Sequence, residues 1–305
     1  MSDTQIPLPE RLRPRDLSEI IGQDHLLGDQ APLRQMIDQG HLPSIIFWGP
    51  PGVGKTTIAL LLAQAVDRPF VSLSALNTGV KELREIIAES GDLLTPVVFI
   101  DEIHRFNKSQ QDALLNAVEK GKITLIGATT ENPSFEVNSA LLSRCQVYSL
   151  NALSNDAIQD LLTRAIQQDK FLQEKFVQFE EFDAIVQFAA GDARKALNLL
   201  DLIASTFEPD VENIITNAKV VKVAQQNIAR YDKSGEQHYD LVSALIKSIR
   251  GSDPDAALYW MARMLKGGED PVFIARRMLV AASEDIGNSN PNALLLAGEC
   301  FRSVQ

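Results

Sequence analysis

Residues 44–66 read SIIFWGPPGVGKTTIALLLAQAV, in which a glycine-rich loop separates two apolar segments. The run Ser44–Trp48 predicts a buried strand, and Thr57–Val66 predicts a helix. The loop between them matches Gly-x-x-x-x-Gly-Lys-Thr at every position, and a strand and a helix are the flanking elements that this motif requires. The stretch therefore predicts a phosphate-binding loop in an α/β domain. A chance match in a surface turn is the alternative, which the flanking elements disfavour.

The residue types of this loop suit a nucleoside triphosphate. Glycines let backbone N–H groups close around phosphate oxygens because no Cβ lies in the way. The N-terminus of the helix adds partial positive charge at the same place. Lys55 is predicted to reach the β- and γ-phosphates, and Thr56 to offer its hydroxyl to Mg²⁺. The predicted ATP-binding residues of this segment are Gly49, Pro50, Pro51, Gly52, Val53, Gly54, Lys55, Thr56 and Thr57.

A second motif, which is acidic, follows another buried strand. This strand is predicted over Pro96–Ile100 and leads directly into Asp101 and Glu102. Asp101 is predicted to hold Mg²⁺ through water, as the aspartate of phosphate-loop NTPases does. Glu102 is placed to polarise the attacking water as a general base. The alternative is a pair of solvated acids at a strand end. We expect His104 to be a structural histidine, because no second metal ligand lies at a fitting spacing.

Strands and helices alternate over the first half of the chain. Further strands are predicted over Phe70–Ser74, Ile123–Gly127 and Gln146–Leu150. A helix is predicted over Ser109–Lys120, where Ser109 can cap the N-terminus and Gly121 can end the helix. This alternation predicts a parallel α/β sheet.

After Ser154 the strand signals stop and the apolar pattern becomes helical. Near the C-terminus, three segments that contain Pro254, Pro271 and Pro291 each combine a glycine, an Asp or Asn and the proline before an apolar run. In such a segment Gly ends one helix, Asp or Asn caps the next, and Pro fits its first turn. The pattern predicts helical hairpins whose core residues are Tyr259, Trp260, Met264, Leu265, Phe273 and Ile274.

These patterns predict an α/β protein with three domains. Residues 1–150 form a phosphate-loop domain around a parallel sheet, and residues 151–230 form an all-α lid. Residues 231–305 form a third, all-α domain. Residues 1–22 contain the sequence RLRPRD, for which a basic, solvated arm is the alternative to a functional role.

The composition is that of an ordinary soluble protein, with 45% apolar and 23% charged residues among 305. No run approaches the roughly 18 apolar residues of a membrane helix, and the N-terminus has no apolar signal segment. We therefore expect a cytoplasmic protein with no membrane partner. Cys145 and Cys300 lack metal-ligand spacing, which predicts free thiols. The net charge of −11 gives no argument for nucleic acid, although a local basic strip can still bind it.

The chain resembles AAA+ ATPases of the clamp-loader and Holliday-junction-motor branch. More narrowly, it is similar to the replication-associated recombination protein A family, which includes the eukaryotic Werner-helicase-interacting ATPase. The narrowest part of the resemblance is HYDLVSALIKSIRGSDPDAALYW over residues 238–260. The other segments that carry it are Arg13-Pro14, Ile21-Gly22-Gln23, Gly49–Thr56, Val97–Asn107, Gly127–Phe135, Ser143-Arg144-Cys145 and Gly191–Arg194.

The resemblance implies further ATP-site residues. Ile21 and Gly22 are expected to flank the adenine, where an apolar side chain and exposed backbone suit a flat base. Thr129 matches the sensor 1 position at the tip of the fourth strand, and Thr130 is the adjacent alternative.

The resemblance also implies two catalytic arginines. Arg144 matches the arginine finger, which reaches into the ATP site of a neighbouring subunit, and Arg194 matches sensor 2 of the helical lid. The transition state of phosphoryl transfer spreads negative charge that fixed guanidinium groups stabilise. The alternatives are a surface charge at Arg144, and a lid-surface charge at Arg194 that pairs with Asp192 or Asp201.

As a function, the resemblance implies ATP hydrolysis, with Mg²⁺, coupled to work on DNA at stalled or gapped replication forks. It implies a homo-oligomer, a tetramer in the family, and it makes residues 231–305 an oligomerisation domain that we expect to be incomplete. It also implies action at the bacterial nucleoid, with replication proteins as further partners. The alternatives are a clamp-loader subunit and a nucleotide-gated scaffold with little turnover. Contacts to single-stranded, gapped or forked DNA are expected to be backbone-directed and salt-sensitive. The candidate residues, each with a solvated helix face as its alternative, are Lys81, Arg84, Arg105, Lys108, Arg250, Arg276 and Arg277.

Overall fold

The computed structural model describes residues 6–75, 95–208, 211–231, 236–266 and 269–304. The chain divides into two compact units, one up to Val220 and one from Val221 onward. The predicted sheet domain and most of the predicted lid belong to the first unit. The division between them at residue 150 stays a prediction.

A five-stranded parallel sheet lies at the centre of the first unit, with the strand order β2-β3-β4-β1-β5. Its strands are β1 (Ile45–Trp48), β2 (Phe70–Ser74), β3 (Val97–Asp101), β4 (Thr124–Thr129) and β5 (Gln146–Ser149). The central strands β1, β3 and β4 are almost wholly buried, which explains their continuous apolar sequences. Because all five strands run in parallel, the carboxyl ends of these three meet at one edge of the sheet. The predicted α/β fold is confirmed.

Helices surround the sheet and form the rest of the first unit. Those before β5 are α1 (Leu8–Arg11), α2 (Asp24–Leu27), α3 (Pro32–Asp38), α4 (Lys55–Ala65), α5 (Lys108–Glu119), α6 (Pro133–Glu136) and α7 (Ser139–Leu142). Those after it are α8 (Asn155–Gln168), α9 (Lys170–Glu174), α10 (Asp183–Ala189) and α11 (Ala193–Ser205). Short 3₁₀ turns cover Leu17–Glu19 and Ile103–Arg105.

Helix α5 begins one residue earlier than predicted because its cap is Asn107 and not Ser109. The Asn107 side chain accepts a hydrogen bond from the backbone N–H of Gln110 at 3.0 Å, and the Gln110 side chain accepts one from the N–H of Asn107 at 2.9 Å. This reciprocal capping box satisfies two donors that the helix itself leaves unpaired. Gly121 follows the helix in a left-handed conformation, as expected of its end.

The lid is helical except for two short strands that the sequence did not reveal. Strand β6 (Val177–Phe179) pairs in parallel with β7 (Asn213–Ile215). The expectation that strands stop after Ser154 is wrong at these six residues. Three-residue strands are too short to show the alternation on which the prediction depended.

The second unit is helical over the residues that the structure describes. Its helices are the end of α12 (Asn217–Tyr231), α13 (Glu236–Arg250), α14 (Pro254–Lys266), α15 (Pro271–Ala281) and α16 (Pro291–Val304). A π turn over Ala282–Ile286 and a 3₁₀ turn over Gly287–Ser289 link α15 to α16. Each of the three predicted proline-started helices begins at its proline, which confirms that pattern.

The core of the second unit contains only part of the predicted set. Met264 and Ile274 are buried, and Trp260 and Phe273 pack against them. Tyr259 and Leu265 are exposed, so their prediction as core residues is wrong. They occupy the other faces of α14, which an unbroken apolar sequence does not distinguish from the buried face.

Two expectations from composition can be compared with the structure. Among the described residues, no helix is long and apolar enough to cross a membrane. Cys145 and Cys300 are both free. Burial raises the pKa of the Cys145 thiol to about 12, whereas Cys300 is exposed.

Candidate active site

The phosphate loop lies where β1 ends, beside the end of β4. The backbone N–H of Gly49 donates to the carbonyl of Thr129 at 3.2 Å, which holds the start of the loop against the neighbouring strand. Gly54 has a φ of +97° and directly precedes α4. This left-handed turn suits glycine and lets α4 begin at Lys55, two residues before the predicted start. Lys55 and Thr56 therefore lie in the first turn of α4.

The Lys55 ammonium folds back onto the loop. Its Nζ donates to the carbonyl oxygens of Gly49 at 2.7 Å and Pro50 at 2.8 Å, and the side chain is buried. These carbonyls occupy part of the ammonium's hydrogen-bonding capacity that phosphate oxygens would take. Two backbone carbonyl groups thus hold the buried ammonium at the loop.

Several of the predicted site residues affect the pKa of this lysine. Burial lowers the pKa of Lys55, and this is the largest effect on it. The carboxylates of Glu102, Asp101 and Asp192 act in the opposite direction, while the guanidinium of Arg194 lowers the pKa further. The lysine therefore senses both acids that follow β3 and the arginine of the lid. Sequence reasoning placed these groups in one site, except for Asp192.

Glu102 follows β3 with an unusual backbone. Its φ of +53° and ψ of +49° lie in the left-handed region, which non-glycine residues seldom adopt. The 3₁₀ turn Ile103–Arg105 begins immediately afterwards. The Thr130 hydroxyl donates to Oε2 of Glu102 over 3.4 Å. Strained backbone of this kind is concentrated at functional sites.

The two candidate sensor threonines point in different directions. Thr129 is fully buried at the end of β4, and its hydroxyl contacts Nδ1 of His104 at 2.9 Å and the N–H of Glu131 at 3.0 Å. Thr130 is partly exposed and lies beside Glu102. The geometry therefore places the adjacent alternative, Thr130, nearer to the expected reaction centre. The role of Thr129 as sensor 1 stays a prediction.

A cavity of about 200 Å³ opens beside the phosphate loop, between the N-terminal segment and the lid. Among its lining residues are six that were predicted for the site: Ile21, Gly52, Val53, Gly54, Thr57 and Arg194. Gly22 directly follows, and its φ of +75° turns the chain where a Cβ would come within 2.6 Å of Leu153. Lining residues that the sequence did not predict include Leu12, Arg13, Arg164 and Gln168.

The N-terminal segment is attached to the lid and is not a solvated arm. Arg11 binds Asp169 with both Nε and an Nη, at 2.7 and 3.1 Å, and reaches Asp201 at 3.2 Å. The backbone N–H of Leu8 donates to the other oxygen of Asp201. The Arg11 and Asp169 side chains are only 11% and 5% exposed. Asp201 lies on α11, and no pattern in the sequence indicated that this acid would face another segment.

The lid also contacts the phosphate loop directly. The N–H of Ala193, the first residue of α11, donates to the carbonyl of Gly52 at 3.1 Å. Asp192 caps this helix by accepting from the N–H of Lys195 at 2.9 Å. Asp192 and Asp201 thus have partners other than Arg194, which disfavours the pairing proposed as the alternative role of Arg194. That exposed arginine instead lines the cavity.

Arg144 lies apart from the other predicted catalytic residues. Its guanidinium pairs with Glu119 at the end of α5, and it also donates to the Ala140 carbonyl and the Ser143 hydroxyl. The side chain is 41% exposed, and Arg144 is not among the described residues that line the cavity. Over the described residues of one chain, the predicted arginine finger therefore does not contribute to the cavity.

Family models match three parts of the chain. The model "ATPase family associated with various cellular activities" matches residues 45–152, which contain the phosphate loop and both acids. The model "AAA C-terminal domain" matches residues 173–250, and "MgsA AAA+ ATPase C terminal" matches residues 251–305.

Comparisons with individual proteins, over nearly the whole of this chain, identify the family more narrowly. The chain is 48% identical to replication-associated recombination protein A of Coxiella burnetii, over 98% of this chain and 70% of that protein. The chain belongs to the replication-associated recombination protein A family. The Escherichia coli K12 member is 47% identical over 98% of this chain and 69% of its own length. As a member of this family with a matched ATPase domain, the chain is an AAA+ ATP hydrolase.

A solved structure supports the fold independently. The Thermotoga maritima RuvB Holliday junction branch migration motor superposes with a TM-score of 0.63, covering 94% of this chain and 91% of that chain. Its sequence is 24% identical, so the likeness concerns the fold alone.

Proposed function

We propose that this ATPase couples hydrolysis to work on DNA at stalled or gapped replication forks, in replication-associated recombination and repair. The observation that carries the proposal is that a complete phosphate loop and the Asp101–Glu102 pair share one electrostatic site. The family to which the chain belongs is named for replication-associated recombination. This name supports the DNA-directed part of the proposal.

In the proposed mechanism, the backbone N–H groups of the phosphate loop and the Lys55 ammonium bind the β- and γ-phosphates of ATP. Lys55 exchanges its two carbonyl partners for phosphate oxygens, which better compensate a buried positive charge. Thr56 and Asp101 hold Mg²⁺, since hydroxyl and carboxylate oxygens are donors that this ion accepts. Bound Mg²⁺ neutralises the charge that develops on the phosphates. Glu102 orients the attacking water and accepts its proton.

The remaining site residues bind the base and report the γ-phosphate. We assign Ile21 and Gly22 to the adenine, on the side of the cavity that the N-terminal segment forms. Arg194 approaches the phosphates from α11, whose N-terminus already contacts the loop. Thr129 and Thr130 connect the end of β4 to the catalytic acid, and the hydroxyl of Thr130 is the closer of the two to Glu102.

Arg144 completes the site of a second copy of the chain. It is exposed and contributes nothing to its own cavity, whereas an arginine supplied in trans accelerates hydrolysis by about 10³–10⁵ in GTPase examples. The active form is therefore a homo-oligomer, and a tetramer is the state that we propose from the family resemblance.

DNA binds through backbone contacts made by exposed basic side chains. Arg105 and Lys108 are exposed in the first unit, while Arg276 and Arg277 are exposed on α15. Arg250 pairs with Asp285 at 2.9 Å and is a weaker candidate. Lys81 and Arg84 lie outside the described residues. Replication proteins are further proposed partners, at the nucleoid of a bacterial cytoplasm.

Steady-state ATP hydrolysis with and without DNA tests this function. We expect turnover to rise with single-stranded, gapped or forked DNA, more than with intact duplex, and to lose this stimulation as salt increases. A nucleotide-gated scaffold would hydrolyse hardly any ATP in any mixture. A clamp-loader subunit would show no stimulation by DNA without other subunits. Either result would overturn the proposal, and Glu102→Gln supplies the control for contaminating ATPases.

A further inference from the structure

We propose that His104 is a positioning residue for the general base, because its Nδ1 lies in ion-pair contact with the Glu102 carboxylate and holds it in place. The proposal rests on the assignment of Glu102 as the base in the proposed function. Among the described residues, His104 belongs to no cluster that could hold a metal ion, and it was expected from the sequence to be structural. Its contacts in the structure point to the reaction centre instead.

The contacts of the His104 imidazole are short and largely shielded from solvent. Nδ1 of His104 lies 3.2 Å from Oε2 of Glu102 and 2.9 Å from the hydroxyl oxygen of Thr129. The His104 side chain is 15% exposed, and Thr129 is fully buried. One ring nitrogen therefore faces both the predicted base and the predicted sensor position.

The surrounding groups decide which ring nitrogen carries the proton. The Thr129 hydroxyl oxygen accepts from the N–H of Glu131 at 3.0 Å and can donate its own proton to the Glu131 carbonyl at 3.3 Å. An unprotonated Nδ1 would direct its lone pair at the carboxylate of Glu102. We therefore assign the proton to Nδ1, which donates it to the Thr129 hydroxyl oxygen at 2.9 Å and presents its polar N–H to Oε2 of Glu102 at 3.2 Å.

The backbone keeps the histidine where this bond requires it. Ile103, on the same 3₁₀ turn, is fully buried in the core. It packs against β4 at Gly127, where an added Cβ would come within 2.9 Å of its Cδ1. Packing thus fixes the turn, and the left-handed conformation of Glu102 returns its side chain toward His104.

Over the residues that the structure describes, His104 and Thr130 both approach Oε2 of Glu102. We therefore assign Oε1 as the oxygen that accepts the proton of water. A base held by one oxygen samples fewer orientations, and misplacement of a catalytic group by about 1 Å can cost about 100-fold in rate. His104 also links the base to Thr129, so a change at the end of β4 alters the position of Glu102.

Three substitutions separate positioning from space-filling. In His104→Asn, the amide nitrogen replaces Nδ1, whereas His104→Gln places its amide nearer to the former Nε2. His104→Ala removes both donors. We expect His104→Ala and His104→Gln to lower kcat by about 10–100-fold with little change in the KM for ATP. His104→Asn should retain most of the activity, and His41→Ala, at an exposed histidine with no assigned role, should leave it unchanged.

Several outcomes would overturn the inference. These are normal turnover in all three histidine variants, an asparagine variant no better than the glutamine variant, or a change confined to KM. Thermal melting and binding of a fluorescent ADP analogue establish that each variant is folded, and the Asn–Gln pair decides if His104→Ala does not fold. If the wild-type protein itself hydrolyses no ATP, the proposed function fails instead. Normal wild-type turnover with no effect of the substitutions rejects His104 alone.

Discussion

On the scale of single residues, Lys55 combines a positive charge with burial at the phosphate loop. Its charge is buried, its pKa is lowered mainly by that burial, and its partners are two uncharged carbonyls. A cation in this position gains more from phosphate oxygens than an exposed lysine does, because charge-assisted hydrogen bonds are stronger away from water. The binding energy of ATP should therefore depend strongly on this side chain.

Substitution of Lys55 by Met should abolish the stabilisation that ATP confers. A ligand at one hundred times its Kd stabilises a protein by about 2.7 kcal/mol, which corresponds to several degrees in Tm. Thermal melting with and without ATP and Mg²⁺ measures the shift. Lys122→Met, at an exposed lysine, is the matched control and should shift like the wild type. A full shift in Lys55→Met would contradict the assigned role.

At the scale of single residues, the sequence predicted which residues belong to the site better than it predicted how their side chains are oriented. The phosphate loop and the two acids after β3 are contiguous motifs, so their identity and strand context were readable. The contact between His104 and Glu102 was not, because it depends on one left-handed residue and on packing beneath Ile103. The same holds for Thr129, whose burial is decided by its neighbours and not by its place in the motif.

Among the elements, the N-terminal segment and the lid are joined by a buried ionic network. Arg11 of α1 reaches Asp169, which precedes α9, and Asp201 of α11. Neighbouring residues Leu12 and Arg13 line the cavity. An element that lines the cavity is thus fixed to the lid by a charge pair shielded from solvent.

Replacement of Arg11 by Met should destabilise the chain strongly. It leaves the buried carboxylate of Asp169 without its guanidinium, and breaking a buried pair in this way costs about 3–5 kcal/mol. Arg34→Met is the matched control, because Arg34 and Asp38 form a more exposed pair on α3, worth about 0–1 kcal/mol. Denaturant unfolding measures both. Equal midpoints for the two variants would show that the Arg11 network contributes nothing special.

The sequence predicted helices and central strands well because their patterns are long. The helical pattern predicted after Ser154 is seen at once in helix Asn155–Gln168, which has both a serine cap and a sustained period. Strands β6 and β7 offered only three residues each. The exposed faces of α14 were equally unreadable, since the sequence around Tyr259 is apolar on more than one face.

On the scale of the whole molecule, the proposed role of Arg144 requires a second copy of the chain. In the single chain its guanidinium is held by Glu119 and by the end of α7. That pair is exposed, and exposed pairs are worth about 0–1 kcal/mol. A neighbouring triphosphate would therefore compete readily for the arginine. Activity should follow the interface between copies and not the fold of one copy.

Two inactive variants should restore each other if Arg144 acts in trans. Arg144→Ala retains Glu102, and Glu102→Gln retains the finger, so a mixed oligomer contains some sites with both groups intact. We expect each variant alone to be nearly inactive, with Glu102→Gln still binding ATP. Co-expression with two different tags, followed by purification through both, gives the mixed oligomer for an ATPase assay.

The control for this experiment combines lesions on the same side of the interface. Lys55 and Glu102 serve the same chain's site, so a mixture of Lys55→Ala with Glu102→Gln creates no intact site and should stay inactive. Restored activity in both mixtures would mean that subunits simply stabilise one another. Activity in neither would mean that Arg144 serves its own chain or has only a surface role. Restoration confined to the Arg144 and Glu102 pair is the result that a shared active site requires.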